Sequence, residues 1–178
     1  KKIQQIVKQL FDEEKIDLFV GHEKGTVPLK SRPLFIWAQD EDREEKIGRI
    51  TWDSFCSNNT AVFLPKQYEM DPRRRKKDDQ PKPTIALRVK GCGLRSIINL
   101  VRKLQVPRDH LVLIGVPCAG MLDRRKVGEH FDDEEIVSVS EENPGTLDGS
   151  ITVTTKSGKQ ESIDREEVLR DGCVECRF

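Results

Sequence analysis

Thr84-Ile85-Ala86-Leu87-Arg88-Val89-Lys90-Gly91-Cys92-Gly93-Leu94-Arg95 runs from an unbroken apolar stretch into a glycine-flanked cysteine and then into a helical pattern. The apolar run Thr84 to Val89 predicts a strand. From Gly93 to Leu104 the residues Leu94, Ile97, Ile98, Val101 and Leu104 recur at helical spacing, which predicts a helix. Pro107 breaks the pattern, and Leu111 to Val116 returns to an apolar strand. A strand, a crossover helix and a second strand imply parallel neighbours joined by a right-handed connection. Cys92 and, in Ile114-Gly115-Val116-Pro117-Cys118-Ala119-Gly120, Cys118 then follow the carboxyl ends of the two strands. In open α/β sheets ligands bind at that edge.

Working outward from this unit, Ile3, Ile6, Val7, Leu10 and Phe11 give residues 2–14 a helical period. Ile16 to Val20 and Leu34 to Ala38 read as strands, and Arg49 to Trp52 as a third. Asp53 reads as the N-cap of a short helix reaching towards Leu64. Residues 71–83 form a charged loop whose basic run, Arg73 to Lys77, is followed at once by Asp78 and Asp79. Beyond the central unit, Ile136 to Val139 is a short strand. Ile151 to Thr155 and Gln160 to Ile163 flank the turn Lys156-Ser157-Gly158-Lys159 as a hairpin. A short helical stretch, Arg165 to Leu169, leads into Gly172-Cys173-Val174-Glu175-Cys176.

The expected fold is therefore one α/β domain over residues 1–178. It has a mainly parallel sheet, flanking helices, a peripheral hairpin and a ligand-bearing tail at 164–178. Charged and hydrophobic residues each make up 35% of the 178 residues, and 31 Lys+Arg balance 31 Asp+Glu. That balance gives no global field towards nucleic acid or membrane. No apolar run approaches the length of a membrane span, and no signal peptide is visible, so a cytoplasmic location and no membrane insertion are expected. The chain lacks an initial Met and stops two residues after Cys176, which reads as a processed product or a segment of a longer polypeptide.

Four of the five cysteines, Cys92, Cys118, Cys173 and Cys176, lie where a metal centre at the sheet edge would need them. Small neighbours let sulfur and backbone approach a bulky inorganic core, and four thiolates are the ordinary ligands of a [4Fe–4S] cluster. Zinc also takes four cysteines, and a free cysteine is often a small buried hydrophobe. Spacing alone leaves these three readings open. Cys56 reads as a structural thiol. His22, His110 and His130 show no ligand spacing, and no Walker loop, G-x-G-x-x-G or G-x-S-x-G occurs.

Taken in order, the cysteine motifs resemble the beta-subunit family of the coenzyme F-420-reducing hydrogenases and related dehydrogenases. Ile85 to Arg95 resembles the family's first cysteine segment, Leu113 to Met121 its Gly-x-x-Cys segment and Gly172 to Cys176 its Gly-Cys-x-x-Cys motif. Cys92 follows Lys90-Gly91 where the family has Pro, and the family's Asp-Gly-Gly segment before the first helix is absent. The resemblance is nearest to the iron–sulfur branch that works with heterodisulfide-reductase-like and other anaerobic redox complexes. It implies that Cys92, Cys118, Cys173 and Cys176 ligate one [4Fe–4S] cluster. It further implies electron transfer inside a multi-subunit anaerobic oxidoreductase, with flavoprotein, ferredoxin-type or heterodisulfide-reductase-like partners. One alternative is a flavin-containing (FAD) beta subunit acting on a deazaflavin or similar carrier. Another is a zinc-stabilised interaction module.

Overall fold

The computed structural model describes residues 1–68, 82–132, 134–142 and 149–176. Most of the charged loop expected at 71–83, with its basic run Arg73 to Lys77, lies outside the described residues, as do Arg177 and Phe178. The chain divides into two compact units. The first comprises residues 1–21, 33–50 and 59–116, and the second 22–32, 51–58 and 117–178.

The first unit is built on a four-stranded sheet of order β2-β1-β3-β4, with β1 Leu18–Lys24, β2 Ser31–Trp37, β3 Ile85–Val89 and β4 Leu111–Gly115. Strand β3 pairs in parallel with β1, Leu18 facing Ile85, and with β4, Ile85 facing Leu111. The expected strand–helix–strand unit is present, its crossover being helix α4, Gly91–Arg102. Both faces of the sheet are covered, and the side chains alternate between them. Phe19, Ala86 and Ile114 meet Val7 and Phe11 of α1 (Lys2–Asp12) and Ile47 of α2 (Arg43–Arg49). Leu18, Val20, Ile85 and Leu87 point the other way, towards Ile97 of α4 and Leu64, the first residue of α3 (Leu64–Tyr68). The period-two switch of burial is what a strand covered on both faces requires.

Only part of the apolar stripe expected on α4 is buried. Ile97 is enclosed, whereas Leu94 and Ile98 are 38% and 48% exposed, and Leu104 is 92% exposed. Leu104 lies beyond the end of the helix, at φ +56°.

The second unit contains an antiparallel sheet, β5-β6-β7, formed by Ile136–Glu141, Ser150–Thr155 and Gln160–Asp164. The hairpin expected around Lys156 to Lys159 is present, with Gly158 at φ +89° in the turn. Ile151, Val153 and Ile163 pack with Phe55, Leu122, Val127, Phe131 and Val168 to give this unit its own core. Val127 comes from α5, Arg124–Glu129. Residues 171–174 form one further helical turn, α6.

The expectation of a mainly parallel sheet carrying an iron–sulfur cluster at its edge is overturned. One sheet is mixed and the other antiparallel. The reason lies in the connections. A parallel pairing needs a crossover of a dozen residues or more, which the helix-containing connections from β1 to β3 and from β3 to β4 supply and the short ones do not. Strands β1 and β2 are joined by a short turn. Gly25 donates to Lys30 O at 2.8 Å, and Ala38 to Asp17 O at 2.8 Å, the converging pairs of an antiparallel ladder. A four-residue turn likewise forces β6 and β7 antiparallel.

Three local expectations also change. Only Ile50 of Arg49 to Trp52 makes a strand-like bridge. The helix expected from Asp53 begins instead at Thr60, where the Asn59 side chain accepts from Ala61 N. Asp53 closes a tighter turn, accepting from Phe55 N at 2.9 Å. Arg165 to Leu169 is a run of turns, and Leu169 bridges Leu122.

Candidate functional site

The second unit brings together the segment after β4 and the segment before the C-x-x-C pair. Leu122 and Leu169 form an antiparallel bridge. Arg170 N donates to Met121 O at 2.9 Å, and Asp123 N to Val168 O at 2.7 Å. Lys126 of α5 adds a clip, its Nζ donating to Leu169 O at 2.8 Å and to Asp171 at 2.7 Å. Gly120, at φ +90°, sits where the segments are closest. A Cβ there would lie 2.8 Å from Leu169 Cδ2 and 3.4 Å from Cys173 Cβ. Both the backbone conformation and the close approach call for glycine. Met121 N points at Cys173 Sγ, 3.4 Å away.

Beside this junction lies a buried polar network. Arg165 Nη1 donates to Glu141 at 3.0 Å, and Nη2 donates to Ser54 Oγ at 2.6 Å and to Gly120 O at 2.8 Å. Ser54 donates to the same carboxylate through its amide, at 2.9 Å, and through its hydroxyl, at 2.7 Å. Burial of this ion pair is tolerated because both oxygens of Glu141 and two guanidinium nitrogens are hydrogen-bonded. The network and Cys118 line a cavity of about 10 Å³, together with Trp52, Pro117 and Met121. That holds about one water molecule. A flavin or an inorganic cluster is far larger.

The expected ligands are therefore distributed as follows. Cys118 and Cys173 are half-buried and flank the Gly120 junction. Cys176 is exposed, following α6, with its amide bonded to Cys173 O at 3.2 Å. Cys92 is exposed in the first turn of α4, in the other unit. Among the described residues no group of three or more His, Cys, Asp or Glu side chains is placed to hold a metal ion. Cys56 is fully buried, with Sγ 3.5 Å from Asp53 Oδ1.

Ser54, Glu141 and Arg165 were not singled out in the sequence. Their separations of 87, 24 and 111 residues leave no local pattern to find.

What these two units define first is a fold class, a mixed α/β sheet covered on both faces and an antiparallel meander with a core of its own. The chain superimposes on a chain of the F420-reducing [NiFe] hydrogenase complex from Methanosarcina barkeri with a TM-score of 0.60 and 12% identity, covering 98% of this chain and 58% of that one. In sequence it is 21% identical over 173 residues to the F420-dependent formate dehydrogenase 1 subunit beta of Methanococcus maripaludis. The alignment takes in 94% of this chain and 39% of that protein, so the chain spans well under half of its relative's length. No family model matches. No helix among the described residues is long and apolar enough to cross a membrane.

Proposed function

We propose that this chain is part of an oxidoreductase subunit of the deazaflavin-linked beta type, passing electrons between a flavin and a deazaflavin carrier within a larger redox complex. The observation that carries the reading is that an alignment over 94% of the chain leads to an F420-dependent enzyme's beta subunit. The shared fold with a chain of an F420-reducing hydrogenase complex supports it independently. Of the functions drawn from the sequence, this flavin-linked alternative is favoured over a purely iron–sulfur carrier, because the relative and the solved structure that the chain resembles are both F420-linked.

Cluster ligation by Cys92, Cys118, Cys173 and Cys176 remains a separate proposal, resting on their order in the sequence. It requires that metal binding itself gather the thiols, as it does where ligation and folding are coupled. Iron content of the four single Cys→Ser variants tests it. Full iron in every variant removes it.

The proposed function is tested on protein purified without oxygen. Resolved flavin absorption bands, and loss of the oxidised deazaflavin's visible absorbance on addition of reductant and its partner subunits, are the expected results. Protein that carries no flavin, takes none up and leaves the deazaflavin spectrum unchanged overturns the reading.

A further inference from the structure

The chain has no net charge, yet four cations converge on one groove of the second unit. Lys30, Arg124, Arg125 and Arg170 line a depression of about 530 Å³. That volume lies within the roughly 300–1,000 Å³ of small-molecule sites. Asp123 is the one acid of the lining, and it is already engaged. Its carboxylate accepts from Arg125 N at 2.9 Å and lies 3.5 Å from the Arg125 guanidinium. No carboxylate among the described residues lies within ion-pair distance of Lys30, Arg124 or Arg170, Asp123 attracting Arg170 only from further off, and all three side chains are exposed.

The mounting of these cations is fixed. Arg170 is held by its own amide on Met121 O, one residue beyond the Leu122–Leu169 bridge. Arg124 and Arg125 open α5, whose Val127 is fully buried. The floor is apolar, with Phe55 and Leu122 in the core. Asn58 adds an amide at the rim. Rigidly based guanidinium groups around a partly apolar floor suit an anion with several oxygens on a small organic body, because each planar fork pairs with two oxygens at once.

We infer that this groove binds a phosphate-bearing small molecule, with Arg124, Arg125 and Arg170 on the phosphate oxygens and Lys30 as an added charge. This goes beyond the redox reading above and does not depend on it.

The test is a calorimetric or NMR titration of the intact chain with inorganic pyrophosphate, run beside sodium chloride at matched ionic strength. Saturable binding that weakens with added salt is expected. Arg124→Gln and Arg170→Gln should each weaken it about tenfold, a loss of about 1.4 kcal/mol. Lys156→Gln, which removes a cation paired with Glu135 outside the groove, should leave it unchanged. A parallel titration with a tricarboxylate of equal charge separates phosphate from general anion recognition. Binding that is absent, or that Lys156→Gln weakens as much as Arg170→Gln does, overturns the inference. So does tighter binding of the tricarboxylate than of pyrophosphate. Circular dichroism on each variant verifies that lost binding is not lost folding.

Discussion

Arg165 and Glu141 form an ion pair at 3.0 Å with side chains only 4% and 9% exposed. Ser54 bonds both partners, so three residues distant in the sequence close one buried unit. Truncation of one partner strands the other charge. Glu141→Ala should cost about 3–5 kcal/mol by urea denaturation. The paired replacement Glu141→Met with Arg165→Met should recover much of that loss, since the desolvation of both charges is removed together. A double variant no more stable than Glu141→Ala would contradict this account.

Gly120 is constrained both by its positive φ and by its neighbours. Gly120→Ala should destabilise by about 2 kcal/mol, since Leu169 Cδ2 must also move from a site 2.8 Å away. Gly158 supplies the comparison. Its φ is +89° and a Cβ added there would meet nothing within 4 Å, so Gly158→Ala should cost only the backbone share.

Asp40 gives the first unit a pH response. The Lys46 ammonium, at 2.8 Å, and then the Trp37 amide hold its carboxyl below the ordinary aspartate value. A carboxyl depressed in the folded state contributes stability above its unfolded pKa and loses it as pH falls through the folded one. Wild type should therefore exceed Asp40→Asn at neutral pH, and the two stability curves should converge below the unfolded value of about 3.9. Parallel curves through that region would exclude the carboxylate as the cause.

Thiol labelling tests the placement of all five cysteines. Exposed Cys92 and Cys176 should react first with a water-soluble disulfide reagent, and half-buried Cys118 and Cys173 more slowly. Cys56, with no exposed surface, should react only on unfolding. Cys56 reacting in the first group would place its loop elsewhere.

The strand–helix–strand core was legible because Ile85 to Val89 and Leu111 to Gly115 are apolar runs and Ile97 lies on a helical period between them. The β6–β7 hairpin declared itself through Gly158 in its turn. Helix α2 was missed because one residue, Ile47, is buried in a charged stretch. Acidic Glu44 and Glu45 in its first turn and Lys46 and Arg49 in its last favour a helix without any apolar period. Helix α5 is similar, anchored by Val127 alone. The separation into a mixed and an antiparallel sheet depends on which strands pair, and periodicity does not carry that information. The cysteine motifs stood out in the sequence, but Ser54, Glu141 and Arg165, which line the small cavity with Cys118, are joined only by long-range contacts.

The bridge between Leu122 and Leu169 also sets an order in time. Its two residues are separated by the whole β5–β6–β7 meander, so closing it before the meander has formed means closing a long loop at full entropic cost. Hairpins form within microseconds, and contacts between distant residues follow. The Cys118 and Cys173 segments should thus meet late, after the rate-limiting barrier. Substitutions at Leu122 or Leu169 are then expected to quicken unfolding while leaving the refolding rate nearly unchanged.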